Sequence, residues 1–465
     1  MRKKNASPKL GPADTVACQV IDTWLDFRSR WSDLPGFQVA IRRKGELVLS
    51  KACGFASLKR KTPYTTGHVG HIASHSKMFT ACLALMMQAR GLLDLMDPVV
   101  KYLPQLKKHQ DRRFRDVTLR DLLSNRSGLF RDGTDAAHWD MEKPFPSREE
   151  LQKDILSATL VYEPDTHTKY SNTGFGLMGL VLEAAGGKPY DTLVREYILD
   201  RIPEAQLLPD YTAVKGLRFA DGHSKRFYGG ERRTCRHDPA KALASATGFC
   251  GTMESTTLFL HTLLQTDTLL PRAVRNELQS LHWPVMNQKN EHYGLGLIFD
   301  TLSGQTWIGH SGGWPGFVSQ TRLLAGSDLV FGVIINTNEW VTLNVIRSME
   351  GIIRKIADTF SAAELKNVAI TPPLMNKWGA WVYVTGQKKA IGFPLETWLP
   401  MEEAVVLEAR QDGSYSSDAI SGWHSPGEPV RFIRRGKDIT AMKSGAFMLW
   451  SEKEYLKRNR AGFVS

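Results

Sequence analysis

The 465-residue sequence has only five cysteines, Cys18, Cys53, Cys82, Cys235 and Cys250. They are odd in number, scattered, and never spaced C-x-x-C. Such a pattern offers neither a disulfide framework nor a zinc site, and reduced thiols are the simple reading. No apolar run is long enough to span a bilayer. The basic opening Met1–Lys9 is followed by no apolar segment of the secretory type, so a cytoplasmic protein is expected. Long blocks of like charge are missing too, although the formal net charge is +12. The densest basic places are Arg42-Arg43-Lys44, Lys59-Arg60-Lys61, Arg232-Arg233 and Lys457-Arg458-Asn459-Arg460. None is interleaved with aromatics or set in a nucleic-acid-binding signature, so a solvated basic surface and no nucleic-acid partner are expected. His68, His71 and His75 are close in sequence, but no carboxylate or cysteine completes a ligand set there. They read as surface or hydrogen-bonded histidines, His75 with a place at a pocket mouth, and no metal or cofactor is expected.

Against these absences stand three short strings: Ser74-His75-Ser76-Lys77, Tyr170-Ser171-Asn172 and His310-Ser311-Gly312-Gly313. On a helix, the Ser74–Lys77 spacing puts both side chains on one face. A serine hydroxyl is a poor nucleophile until something takes its proton. A lysine can do so only when burial or nearby cations lower its pKa. The run Met78–Met87 is apolar nearly all round and reads as a buried helix that would desolvate Lys77. Ser74 would then stand in the first turn, where free N–H groups favour a developing negative charge. A core helix with a polar start explains this string about as well.

Tyr170 and Asn172 lie between the loop-like Glu163–His167 and a helical run from about Thr173. A tyrosine beside a lysine ammonium would have its phenol pKa lowered and could relay a proton. An asparagine can orient a substrate amide and the lysine together. Taken alone, the string is better explained as a turn with a helix cap. In the third string, Thr306–His310 reads as a strand and the glycines as a place of close backbone approach. A backbone N–H there could complete an oxyanion hole. Trp314 and Phe317 read either as an apolar wall of an acyl pocket or as core.

Length and composition allow about two domains and a large core. A helix is expected at Thr15–Arg28 and a β-hairpin at Phe37–Arg43 and Glu46–Ala52. The middle of the chain reads as helical and loop-rich. Strands are expected at Tyr293–Asp300, Thr306–His310, Val318–Leu324 and Leu329–Asn336, then a closing helix at Val341–Phe360. Thr371-Pro372-Pro373 reads as a linker. Beyond it Gly379–Val384, Lys389–Phe393, Glu402–Glu408 and Arg431–Arg434 suggest a small β-domain with no chemistry of its own. The expected division is disorder over 1–13, a catalytic domain at 14–362 and the β-rich domain at 374–465.

With these strings assembled, the chain resembles the serine β-lactamase-like family, in particular its class C branch of β-lactamases, DD-peptidases, D-aminopeptidases, esterases and some acyltransferases. Gly91–Pro104, Thr118–Leu129 and Tyr293–Leu297 fit further family segments, and the resemblance covers roughly 15–360. It implies an α+β fold, an antiparallel sheet flanked by helices plus an all-helical subdomain. It implies Ser74 as acylated nucleophile, Lys77 as its base and Tyr170 as the second base. Asn172, His310, Gly312 and Gly313 would bind substrate, and the N–H groups of Ser74 and Gly313 would form the oxyanion hole. His310 stands where class C β-lactamases usually have lysine, and a histidine is charged only part of the time near neutral pH. The expectation is therefore a serine hydrolase acting through an acyl-enzyme on small or short-peptide substrates, favoured as a D-amino-acid peptidase or amidase. A carboxylesterase or acyltransferase is the alternative, a β-lactamase less favoured, and a silent binding scaffold least. A homo-oligomer is left open.

Overall fold

Alternating residues in Gly36–Arg43 (β1) and Glu46–Ser57 (β2) form the expected hairpin. Lys44 and Gly45 close it at φ 51° and 79°, the left-handed pair that a two-residue turn between twisted strands requires. The computed structural model describes residues 11–212, 216–226, 230–302, 304–377, 379–417, 427–444 and 447–458. Two compact units emerge: residues 34–342, and the residues up to 33 together with those from 343 onward. Of the stretch expected to be disordered, 1–13, residues 1–10 lie outside the described residues and Pro12 already opens a helix.

The first unit is built on a nine-stranded antiparallel sheet. Its other strands are β3 (Thr62–Pro63), β4 (His282–Pro284), β5 (Glu291–Gly294), β6 (Ile298–Leu302), β7 (Gln305–Trp314), β8 (Phe317–Leu324) and β9 (Leu329–Ile335), in the order β3-β2-β1-β9-β8-β7-β6-β5-β4. The start and end of the unit meet where β1 pairs with β9, Phe37 opposite Ile335. The helix Met253–Gln265 packs on β1, β8 and β9. Gly332 lets it approach: a Cβ there would come within 2.6 Å of Thr257 Cγ2. Helices Leu119–Leu123, Arg148–Ser157, Asn172–Gly186 and Tyr190–Tyr197 make up the helical part expected of the middle of the chain.

The expected single strand Tyr293–Asp300 is instead a hairpin, β5–β6, turned at Leu295–Leu297. Gly294 N–H donates to Leu297 O at 2.8 Å, and Gly296 adopts φ 68°. Only glycine fits that position, because a Cβ would lie 2.4 Å from Lys77 O. The turn thus rests on the helix that carries Lys77.

In the second unit the helix Pro12–Trp31 extends three residues beyond the expected span at each end. Pro12 suits a first helical position because its missing N–H would be unsatisfied there anyway. The helix Thr342–Thr359 follows the first unit. The expected β-domain is a closed eight-stranded barrel of β11 (Leu374–Met375), β12 (Ala380–Thr385), β13 (Lys389–Pro394), β14 (Val405–Ala409), β15 (Tyr415–Ser416), β16 (Val430–Arg435), β17 (Asp438–Ser444) and β18 (Phe447–Ser451). Closure comes from β11 pairing with both β12 and β18.

Thr371-Pro372-Pro373 is not a linker. It interrupts one strand path, because β10 (Ala369–Ile370) and β11 lie in succession along the same strand β12. The prolines fall where no ladder donor is supplied, and Thr371 bridges the gap, its N–H donating to Tyr383 O and its hydroxyl accepting from Tyr383 N–H. Both helices hold the β13–β14 connection: Trp24 Nε1 donates to Thr397 O at 3.1 Å and Ser348 Oγ to Trp398 O at 2.6 Å.

Asp300 on β6 and Arg322 on β8 form a buried ion pair at 2.8 Å across β7. Removing the acid would leave an uncompensated buried guanidinium. Asp300→Ala is therefore expected to destabilise the 34–342 unit by about 3–5 kcal/mol, measured as a shifted urea midpoint.

Candidate active site

Ser74 lies in a tight turn, Ala73–His75, that runs into the helix Ser76–Gln88. Ala73 adopts φ 49°, a left-handed conformation that is uncommon and costly for a residue with a Cβ. Neighbours over-determine it. Ile72 N–H and Ala73 N–H both donate to Phe249 O, at 3.0 and 3.3 Å. Ser76 Oγ donates to Ala73 O at 2.6 Å and accepts from Phe249 N–H at 2.9 Å. Backbone strain held in this way is a mark of functional turns. It leaves Ser74 partly accessible while its neighbours are buried.

Lys77, one helical turn on, has 0% of its surface exposed. Its Nζ lies 3.3 Å from Ser74 Oγ, 2.6 Å from Asn172 Oδ1 and 2.8 Å from Ala246 O. None of these partners is a carboxylate, and the ring centroid of Tyr170 is 4.5 Å away. Burial drives its pKa well below the usual lysine value, the charge of Asp132 opposing and that of Arg131 assisting. In its free-base form such an amine has two N–H donors and one lone pair. Asn172 Oδ1 and Ala246 O accept the donors, and the lone pair is left for the Ser74 hydroxyl.

Tyr170 and Asn172 arrive from the start of the helix Asn172–Gly186, which Ser171 caps by accepting from Gly174 N–H at 2.8 Å. The capping reading and the site reading of this string thus coexist. The expected fall in the Tyr170 phenol pKa is not found. Burial pushes it up, and a hydrogen bond with Ser74 only partly opposes this. The desolvated phenol therefore keeps its proton beside the serine.

The third string forms the end of β7. Gly312 passes so close to the Ser74 turn that a Cβ would lie 2.1 Å from Ile72 O. The β7 backbone therefore lies against the residues that lead into Ser74. His310 is 1% exposed. Its Nδ1 donates to Ser311 O at 2.6 Å, which leaves Nε2 to accept from Tyr293 O–H at 3.0 Å. Burial above all holds its pKa well below the usual histidine value. The imidazole is neutral with both nitrogens engaged, and it offers no cation to a substrate carboxylate.

His68, His71 and His75 are buried, not at the surface. His75, expected at a pocket mouth, bonds Ile72 O at 2.7 Å and Thr321 Oγ1 at 3.0 Å. Trp314 and Phe317 are core, and Trp314 is stacked between His71 and Phe145 at 4.4 and 4.7 Å.

Several contributing residues escape sequence reasoning. Asp132 Oδ1 accepts from Asn172 Nδ2 at 2.6 Å and from Trp139 Nε1 at 2.9 Å, which fixes the Asn172 amide so that its oxygen faces Lys77. Asn125 Oδ1 accepts from Ser171 N–H at 2.9 Å and anchors the Tyr170 segment. Tyr293 sets the His310 tautomer. Asn125 and Tyr293 stand in segments already singled out, yet no spacing marks them, and Asp132 carries no signal.

With the geometry in place, comparisons with known proteins become informative. The family model described as Beta-lactamase matches residues 26–349. The chain belongs to the beta-lactamase family. This is a fold family of serine hydrolases. Penicillin-binding protein 4* of Bacillus subtilis is 26% identical over 289 residues, 59% of this chain and 62% of the relative. Protein flp of Staphylococcus aureus is 26% identical over 182 residues, 39% of this chain and 36% of the relative. The chain thus spans less than two thirds of either relative. Among solved structures, D-amino acid amidase from Ochrobactrum anthropi superposes with a TM-score of 0.62 at 20% identity, covering 74% of this chain and 99% of that one. An octameric penicillin-binding protein homologue from Pyrococcus abyssi gives a TM-score of 0.63 at 18% identity, covering 92% and 98%. These likenesses show the fold.

A lowered lysine pKa means that the free amine is present well below the ordinary lysine range and is lost as pH falls through the lowered value. Covalent labelling of Ser74 by a fluorophosphonate is therefore expected to rise with pH to a plateau, with a midpoint far below 10. Lys77→Arg, which stays protonated, should label negligibly at every pH.

Proposed function

We propose that this family member is a serine hydrolase with Ser74 as nucleophile and Lys77 as base, and that it cleaves amides of D-amino acids or short related peptides through a covalent acyl-enzyme. The observation that carries the reading is the partner set of Lys77 Nζ: two carbonyl acceptors and the Ser74 hydroxyl, with no carboxylate. In the proposed cycle Ser74 Oγ attacks the carbonyl carbon and its proton passes to Lys77. The tetrahedral oxyanion is held by the backbone N–H groups of Ser74 and Gly313. Tyr170 gives its proton to the departing amine, and the Lys77 ammonium returns one to Tyr170. Water then releases the acyl group by the reverse transfers, with Tyr170 and Lys77 taking its proton. Asn172 orients Lys77 and the substrate amide.

The phenol favours an amide over an ester. An amine leaving group needs a proton, and a neutral tyrosine with a raised pKa is a donor. The neutral His310 counts against a β-lactamase that grips a substrate carboxylate by charge at this strand. The fold shared with D-amino acid amidase supports the choice of D-amino-acid amides. A carboxylesterase or acyltransferase uses the same serine and lysine and differs in the leaving group or acceptor. The barrel carries none of these residues, and its proposed role is packing. Self-association is proposed on the likeness to the octameric homologue. Cytoplasmic residence is proposed on the cysteine pattern alone.

The test is turnover of a D-alanine anilide, a short-chain nitrophenyl ester and a chromogenic cephalosporin by purified protein. Anilide turnover is expected, with a loss of roughly 10⁴-fold or more in Ser74→Ala and nearly as much in Lys77→Ala. Unchanged turnover in Ser74→Ala would sink the assignment. Tyr170→Phe is expected to slow the anilide by about 10²-fold or more and the ester much less, because only the anilide needs the phenol proton. Equal losses on both substrates would remove the proton-donor role.

A further inference from the structure

Trp340 is the most exposed large hydrophobic residue among those described, at 61%. A single exposed apolar side chain is ordinary and by itself means nothing. Its setting is not ordinary. A methyl group built on Gly313 would come within 3.1 Å of Trp340 Cζ2 and 3.2 Å of Cη2, so the indole edge rests directly against the glycine at the end of the catalytic strand. A side chain at position 313 would have to displace the ring.

The backbone that carries the ring is also held. Two residues before it, Asn338 Nδ2 donates to Trp314 O at 2.9 Å and Asn338 Oδ1 accepts from Gly316 N–H at 2.8 Å. Those bonds pin the Trp340 segment to the β7–β8 turn. Asn336 Nδ2, four residues before Trp340, donates to Phe55 O and Asp221 O, each at 3.0 Å. An aromatic side chain carried on an anchored backbone and left open to solvent is placed to cover something else.

The side of the site that carries Tyr170 has different chemistry. There the Arg131 guanidinium lies 5.1 Å from the Tyr170 ring centroid and pairs with Asp132 at 2.9 Å. That flank is polar with its charges matched, whereas the Gly313 flank is aromatic. A substrate bound between the two would place its polar groups toward Arg131 and Asp132 and its apolar bulk on the indole.

We infer that Trp340 is a specificity-determining residue, an aromatic wall beside Gly313 that selects substrates with an aromatic or bulky apolar group at that end of the strand. The inference rests on Ser74 being the nucleophile, but not on whether the natural bond is an amide or an ester. A pair of fluorophosphonates with the same leaving group, one bearing benzyl and one bearing methyl, reads it directly through the rate of covalent labelling. In the parent protein the benzyl probe is expected to react faster. Trp340→Ala should lower the benzyl-to-methyl ratio about tenfold, as loss of one aromatic stack would do. Methyl labelling should stay within about threefold, because an exposed side chain contributes little to folding. Trp340→Phe should retain most of the preference. An unchanged ratio in Trp340→Ala, with both probes still labelling Ser74, would overturn the inference and leave the hydrolase reading standing. Failure of both probes to label Ser74 in the parent protein would overturn that reading and this inference with it.

Discussion

A lysine amine sealed away from water with no carboxylate beside it is the constraint around which the catalytic unit is organised. Burying an ammonium costs several kcal/mol even after relaxation, so the folded state favours the neutral form. A neutral amine is then stable only if both N–H groups find acceptors, because an unmatched buried donor costs about 1–3 kcal/mol. Asn172 and the carbonyl of Ala246 meet that need. Ala246 belongs to the wide helical turn Ala244–Gly248, which also accepts from Thr80 through Ser245 O at 2.6 Å. The β5–β6 turn closes over the Lys77 carbonyl through Gly296. Elements far apart in sequence are thus held in place by one side chain's hydrogen-bonding requirements.

The same logic extends outward. Asn172 can serve Lys77 only with its oxygen turned inward, and Asp132 enforces that by accepting from the amide nitrogen. His310 shares the dry environment and is neutral for the same reason, with Tyr293 and Ser311 O consuming its two nitrogens. The aromatic stack of His71, Trp314 and Phe145 lies directly beyond the Gly312–Gly313 pair and stiffens that end of β7. Removing water from the lysine requires such packing, and such packing in turn fixes the strand end that lies against the Ser74 turn.

The parts of this arrangement that could be read from the sequence are those carried by local spacing. Ser74 and Lys77 are one helical turn apart, Tyr170 and Asn172 flank a capping serine, and the glycines after His310 mark a close approach. Asp132, Tyr293 and Trp340 act through contacts that no spacing rule encodes. Burial of the Tyr170 phenol itself sets the direction of its shift, and local spacing carries no signal of that burial. Tyr293–Asp300 looks like one strand because apolar residues continue through the turn, and only Gly296 betrays it. In the barrel, Leu374–Met375 and Tyr415–Ser416 are two residues each, too short for any period to register, and the prolines before Leu374 imitate a linker.

The helix near the start of the chain is bonded to the barrel near its end, with Trp24 and Thr397 separated by 373 residues. On a ribosome adding 5–20 residues per second, that helix would wait about 20–75 seconds for its partner. During this interval Trp24, buried in the finished protein, lacks both Thr397 O and the Trp398 ring 5.8 Å away. The order of synthesis therefore leaves the apolar face of this amphipathic helix waiting longest for its partner.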